Sequence, residues 1–572
     1  MAEVLLSPGV LARENDQSFL QAQPIQAGAA ILGPTVKGPV GIPTLVTTYS
    51  EYQNKFGTVV ESGSAEYTYF TSISAYNYFQ QGGDSLLVTR VVSGSYTPAS
   101  SSLIANANTS ASFVLETISE GVEMNSTGSE DSNTGALATG SKDNVRWEIV
   151  SPNTSSGTFS LLIRRGNDIT TSKTVLETWA NLSLDPNASN YIEKVIGNSK
   201  QEVASDASTG EYYIKNSGTY NTLSNYVRVK SVLTPTLNFF DNSGTAKSNF
   251  TGSIPVAGSG SFGAATGEAF AGVAGTFYGD IGTNTQGLVA GNYTDSLNLL
   301  ANQDLFQYNL IVAPGLTRES HSSPLTTMVD NSQTRGDNLS IIDLVNYDTA
   351  TLSTVTSQAS GVDSSYAASY WPWLQTIDPD LGSQVWVPAS AMIPGVFAFN
   401  DRSGEAWFAP AGLNRGGLST VIRAERNLTN GNRNTLYQAN VNPIATFPNV
   451  GVVVFGQKTM QKKASALDRV NVRRLLIELK SYISQIADNL VFEQNTIATR
   501  NNFLSQVNPY LESVQQRQGL YAFKVVMDDS NNTPDVIDRN ELIGQIYIQP
   551  TKTAEFIYLD FNVLPTGATF PA

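Results

Sequence analysis

Apolar positions along this chain come in short bursts whose period changes several times. Within 27–92, β-type runs at 29–32, 44–47 and 86–92 surround two helical patterns. Ser50 and Gln53 have the S-x-x-Q spacing of a capping box, which predicts a short helix ended by Gly57. In YTYFTSISAYNYFQQ (67–81), Tyr69, Phe70, Ile73, Tyr76 and Phe79 recur at helical spacing before Gly82-Gly83, so this helix should carry an aromatic stripe. The clearest helix lies at 464–490. There Val472, Leu475, Leu476, Leu479, Ile483, Ile486 and Leu490 fall within about 100° of arc at 100° per residue.

Other segments read as strands or broken elements. The run 308–312 is a buried-type strand ending at Ala313-Pro314-Gly315, and LSIID (339–343) is another. Residues 385–399 are apolar, with a break expected at Pro394-Gly395. A second helix is expected within 496–518, followed by strands at 521–527, 543–548 and 556–563. From 93 to 294 Gly, Ser, Thr and Asn dominate around short alternating runs such as 158–163 and 226–232, the pattern of a β-rich insertion. Residues 252–291 are almost low-complexity, and disorder is the competing reading for parts of 93–294. The sum is an α+β chain, a mixed α/β core built from both chain ends with one or two β-rich outer domains inserted.

Composition narrows the chemistry. A net charge of −15 argues against a nucleic-acid or anionic-membrane binder, because phosphates need neutralising cations. Only 15% of residues are charged, against roughly 25% in ordinary domains. No cysteine is present, and the single histidine, His321, cannot build a metal centre; beside Glu319 it reads as part of an exposed loop. MAEVLLSPGV has no basic start or long apolar stretch, so no signal peptide is expected, and no run is long enough to span a membrane.

Several motifs fail when their chemistry is checked. Gly33-Pro-Thr-Val-Lys-Gly38 has phosphate-loop spacing, but Pro39 and Val40 stand where Lys and Ser/Thr are required. DDSNNTPDVIDRNE (528–541) has a calcium loop's composition without its Gly or terminal Glu; a polar turn between two strands fits better. Arg335-Gly336-Asp337 precedes a buried-type strand and reads as coincidence, and Tyr370-Trp371-Pro372-Trp373 reads as a packing anchor. No enzyme, cofactor or metal site is expected. One charged feature survives: Lys462, Lys463, Arg469, Arg473, Arg474 and Lys480 against only Asp468 and Glu478. On so acidic a chain this suggests an acidic partner.

Collinear blocks resemble one family, the sheath proteins of contractile phage tails and related injection systems. Ser7-Pro8-Gly9-Val10 with Arg13-Glu14 is similar to its N-terminal signature, though Leu11-Ala12 departs from the β-prone residues usual there. The Gly33–Gly38 loop leading to Phe56-Gly57, then Tyr78-Phe79-Gln80-Gln81-Gly82-Gly83 with Val88-Thr89-Arg90-Val91, resemble its next blocks. Ser365-Tyr366-Ala367-Ala368, Pro372-Trp373, Asp378-Pro379, Val387-Pro388-Ala389-Ser390, Asn442-Pro443-Ile444, Asn471-Val472-Arg473-Arg474 and Ala554-Glu555-Phe556-Ile557 continue the match.

The resemblance implies a structural subunit, not an enzyme, that polymerises as stacked hexameric rings around an inner tube. On contraction the rings drive the tube through a bacterial envelope. It implies an extended N-terminal arm at 1–25, a core part at 26–92, outer domains at 93–300, an α/β domain at 301–435, a C-terminal inner domain at 436–555 and a terminal arm at 556–572. Arm strands would include Val4, Leu5, Leu6 and Val10, and Phe556, Ile557, Tyr558 and Leu559. Lys462, Arg469, Arg473 and Lys480 would face the tube, and Lys37 a neighbouring subunit. Tube, baseplate and terminator proteins would be partners, without direct nucleic-acid contact or membrane insertion, in a virion assembled in the host bacterial cytoplasm. The alternative is a secreted or virion-surface polysaccharide-binding or depolymerising protein, suggested by the Gly/Ser/Thr/Asn-rich region.

Overall fold

The computed structural model describes residues 25–557, apart from 63–64, 129, 269–276, 279–280 and 349–350. Its centre is an eight-stranded sheet. In spatial order the strands are Gly451–Val454, Asn442–Phe447, Ala367–Trp371, Leu339–Asp343, Leu310–Thr317, Ala29–Gly33, Leu86–Arg90 and Thr44–Val46. The six inner strands are parallel and the two outer ones antiparallel. Strands covered on both faces read as continuous apolar runs, which explains LSIID and its neighbours. One face packs Ile31, Val88, Val312 and Ile341 against Phe70, Ile73, Ile393 and Phe397. The other packs Ala30, Leu87, Ile311 and Ile342 against Leu297, Leu325, Met328 and Val355.

Three local expectations are corrected by packing. The first helix, Tyr49–Phe56, is capped by Thr48, not Ser50: the Thr48 hydroxyl accepts from Glu51 N at 3.1 Å, and Glu51 accepts from Thr47 N at 2.8 Å. Gly57, at φ +80, ends it as expected. The helix Phe70–Gln80 buries Ser72, Ser74 and Asn77 as well as its aromatics, because a second helix covers its polar side. That second helix, Ala389–Ser403, runs through Pro394-Gly395 without breaking. A Cβ on Gly395 would sit 2.4 Å from Asn77 Nδ2, and that amide donates to Met392 O at 2.9 Å. The Pro-Gly pair is a close-approach site between helices, not a terminus.

One side chain departs from the sequence reading, and two others follow it as packing anchors. His321 is buried at the start of helix Ser322–Arg335, its Nδ1 accepting from Thr317 N at 3.3 Å, because the chain turns there beneath strand Leu310–Thr317. Trp371 and Trp373 are buried in opposite faces of the core, and Trp373 Nε1 donates to Val345 O at 3.0 Å.

The glycine- and serine-rich region forms a β-sandwich. One four-stranded sheet holds Val175–Ser183, Thr158–Arg165, Val145–Asn153 and Gly258–Gly260; the other holds Val227–Val232, Phe113–Glu120, Pro98–Ser101 and Phe262–Gly263. Phe113, Leu115, Trp147, Ile149, Phe159, Leu161 and Phe262 fill the space between them. The near-low-complexity stretch thus supplies strands to both sheets. The sandwich ends before residue 300, however. Phe277 packs with Val36 and Tyr69, and Leu288, Leu297, Leu299 and Leu300 belong to the main core. The boundary at 435/436 also shifts, since Asn442–Phe447 and Gly451–Val454 complete the central sheet.

The phosphate-like loop is what holds the sandwich. Lys37 is only 6% exposed, and its Nζ donates to Asp143 O at 3.0 Å with the Asp143 carboxylate at 3.3 Å. It therefore faces the inserted domain of its own chain, not a neighbouring subunit. Burial pulls the Lys37 amine below its ordinary value, and Asp143 opposes that pull. Arg90, fully buried, donates to Gly38 O at 2.8 Å, Glu120 O at 2.7 Å and Val36 O at 3.3 Å. A hairpin, Lys200–Ser205 with Tyr212–Ser217, gives a second attachment: Tyr212 donates to Asp295 at 3.1 Å.

Candidate functional site

The C-terminal region builds its own small core. Helix Val470–Asp488 turns Leu475, Leu479 and Ile486 toward Phe503, Val507, Leu511 and Val514 of helix Ile497–Gln516. The second helix starts at Thr496, whose hydroxyl accepts from Thr499 N at 3.3 Å. Trp407 enters this core from the preceding domain and donates from Nε1 to Arg517 O at 3.1 Å. Arg474 pins the long helix to the sheet domain through two bonds to Asp401, at 2.8 and 2.5 Å.

Against these helices lies an antiparallel hairpin, Leu520–Val526 with Gln545–Pro550, pairing Lys524 with Tyr547 and Val526 with Gln545. Phe523, Val525, Ile546 and Ile548 turn toward the helices, while Tyr521, Lys524 and Tyr547 are exposed. The polar segment 528–541 connects the two strands, as its turn-like composition suggested. Among the described residues this sheet has two strands only, so each leaves one backbone edge unpaired. An isolated hairpin is marginal on its own, and a further strand on either edge would satisfy free N–H and C=O groups.

The chain then runs on as a tail. Glu555 is held by Arg469 Nε at 2.7 Å, Tyr437 hydroxyl at 2.7 Å and Gln457 Nε2 at 3.0 Å. Burial pushes its carboxyl up, but those donors outweigh the burial and leave it below its ordinary value. Immediately beyond, Phe556 is 69% and Ile557 76% exposed. At the other end, Ala27 and Gly28 line a cleft of about 1260 Å³ together with Arg335, Glu478 and Lys480. Both ends of the described chain thus approach the C-terminal domain.

The expected arm residues are only partly visible. Val4, Leu5, Leu6, Val10, Tyr558 and Leu559 lie outside the described residues, while Phe556 and Ile557 extend without strand pairing. The basic stripe does not form one free surface. Arg473 is 4% exposed, stacked 3.9 Å from the centre of the Tyr366 ring and bonded to Ser365. Lys480 Nζ lies 3.3 Å from the same Tyr366 hydroxyl, and Arg469 is paired with Glu555 and Asp468. Lys462 is exposed, with its backbone N–H donating to Asp363. Helical spacing predicted common direction but could not show which cations already have partners. Glu555 was quoted only as part of a motif; a lone acidic residue before two large apolar ones carries no sequence signal for three distant donors.

The chain is closely packed beside the point where strand order reverses in the central sheet. Strand order reverses between Ala29–Gly33 and Leu310–Thr317, the place where ligands sit at strand carboxyl ends. A Cβ on Gly33 would stand 2.3 Å from Thr71 Oγ1, and one on Gly315, at φ +96, 2.7 Å from Thr285 Oγ1. Both glycines are therefore close-approach positions, where a side chain would have to displace a neighbour. Among the described residues no group of three potential metal-ligating side chains is present, and no helix is long and apolar enough to cross a membrane.

Comparison with known proteins agrees with this layout. Residues 287–460 match the phage tail sheath protein central domain, and residues 462–564 match the phage tail sheath C-terminal domain. Residues 287–564 thus carry both phage tail sheath domains, central and C-terminal. The border between the two family domains falls where the central sheet ends and the C-terminal core begins. A tail sheath protein of Vibrio phage KVP40 is 43% identical over 185 residues, covering 32% of this chain and 28% of the relative. A tail sheath protein of Enterobacteria phage T4 is 32% identical over 323 residues, covering 53% and 49%. The chain thus aligns with less than half the length of these sheath relatives. The fold is similar to that of a sheath tail protein from Listeria innocua, with a TM-score of 0.50 at 10% identity, over 92% of this chain and 95% of the other.

Proposed function

We propose that this chain is a structural subunit of a contractile tail sheath, joined to further copies of itself by strand exchange at the C-terminal hairpin. The observation that carries the reading is the two-stranded sheet with unpaired edges, in a domain of the sheath family, beside a tail whose first apolar residues stand in solvent. An arm from one copy adds to an edge of the next. Main-chain hydrogen bonds then supply connection, and alternating side-chain pockets supply register. Such links survive rotation of the subunits, because they depend on a short added strand and not on a broad rigid face.

Copies would stack as hexameric rings around an inner tube, with baseplate and terminator proteins at the ends, in a virion tail assembled in the host bacterial cytoplasm. Contraction would draw on energy stored in the assembly. The tube-facing role of the basic segment narrows to its exposed members, Lys462 and Lys480, since Arg469 and Arg473 have partners within the chain. A modest, screened attraction fits a contact that must later break.

The test is assembly of the full-length chain, followed by negative-stain microscopy and sedimentation. The chain should form long hollow cylinders, and removal of residues 1–20 or of 558–572 should abolish them while leaving the thermal unfolding of the subunit unchanged. Cylinders of normal length from both truncated chains would refute strand exchange by the arms.

A further inference from the structure

The tail root is fastened where the sheet domain meets the C-terminal domain, and a single carboxylate makes the fastening. Glu555 receives donors from three separate elements. Tyr437 belongs to helix Asn430–Gln438, Gln457 follows the sheet-edge strand Gly451–Val454, and Arg469 is the residue just before helix Val470–Asp488. Gln457 Nε2 also donates to Thr553 Oγ1 at 2.5 Å, so the tail is gripped twice within three residues. The next two residues, Phe556 and Ile557, are exposed. The change from gripped to free therefore falls within one residue.

From this arrangement we infer that Glu555 is a positioning residue that fixes the root and direction of the C-terminal arm, leaving only residues from Phe556 onward free to engage another copy. This rests on the strand-exchange reading given above. Without Glu555 the tail beyond Thr551 would keep only the Gln457 contact to Thr553, and a longer flexible tether lowers the effective concentration of its end at a neighbour's edge. Because the donors come from both domains, a pull on the arm is passed to the sheet and to the long helix together. Arg469 keeps its contact with Asp468 at 3.0 Å when Glu555 is altered, so the guanidinium is not stranded and the domain should still fold.

The test uses the full-length chain with Glu555→Gln, and separately Tyr437→Phe, read by hydrogen exchange in the unassembled subunit and by cylinder formation. Exchange at 551–557 should rise about tenfold or more in Glu555→Gln and less in Tyr437→Phe. Protection of 520–526 and 545–550 should stay as in the parent, and cylinders should form only at higher concentration. Unchanged exchange at 551–557 overturns the anchor, whatever happens to assembly. Faster exchange with unchanged assembly overturns its role in aiming the arm. A chain ending at Ile557 separates this from the parent reading: if that chain assembles normally, exchange of the C-terminal arm is what fails.

Discussion

At the inserted sandwich, Lys37 and Arg90 are sunk into the joint and spend their donors on Asp143, Val36, Gly38 and Glu120 of the same chain. At the C-terminal end the hairpin keeps two free edges, and Phe556 and Ile557 stand in water one residue past an anchored carboxylate. Both regions are attached to one sheet, yet the first directs its buried cations to partners within the chain while the second keeps two sheet edges in reserve. A saturated joint moves with the core as one body, whereas an unsaturated edge is where another molecule can be added. The difference separates what a subunit carries from what a subunit shares.

The largest expected effect is at the saturated joint. Arg90→Ala removes a donor from three carbonyls, leaving Gly38 O only Glu120 N at 3.3 Å, and should cost about 3–5 kcal/mol, on the scale of breaking a buried charged network. Chemical denaturation would show it, and limited proteolysis should cut first near 36–41 or 142–144. A loss under about 1 kcal/mol would mean that the joint is not rigid. Gly395→Val is next. It drives a branched side chain into Asn77 and should cost about 1–3 kcal/mol by overpacking, read as a lowered melting temperature.

A third change concerns pH. Asp343 is buried beneath helix Ala389–Ser403, accepting from Ser390 N at 3.1 Å and from the Ser390 hydroxyl, and burial pushes it up to about 7 from 3.8. The folded chain keeps this proton at pH values where the unfolded chain has released it. Its contribution to stability is therefore full below the unfolded value and is lost as pH rises through about 7. Asp343→Asn should flatten that part of the melting-temperature profile; an unchanged slope would show that other groups set it. The smallest effect on the isolated subunit is expected at the free end. Phe556→Ala should shift stability by less than about 0.5 kcal/mol but raise the concentration needed for assembly, a split that light scattering and calorimetry would resolve.

Local pattern carried much of the fold. The strands at 29–33, 86–90 and 339–343 and the helix of Leu475 and Leu479 were legible because apolar spacing alone fixes them. What was not legible depends on residues far apart in sequence. Lys37 meets Asp143 across 106 positions, and Arg469 meets Glu555 across 86. Pro394-Gly395 looks like a break until Asn77 is placed against it, and Arg473 looks like a surface cation until Tyr366 lies over it. The hairpin's strands could be read directly, but its unpaired edges could not, since edge status belongs to the sheet and not to the strand.

What happens to that hairpin in the assembled wall decides whether subunits exchange strands. Electron cryomicroscopy of cylinders grown from the full-length chain should show Leu520–Val526 and Gln545–Pro550 extended on both edges by strands from other copies, one from residues 4–19 and one from 556–563. A wall in which the hairpin remains two-stranded, with both terminal segments folded back on their own subunit, would contradict that exchange.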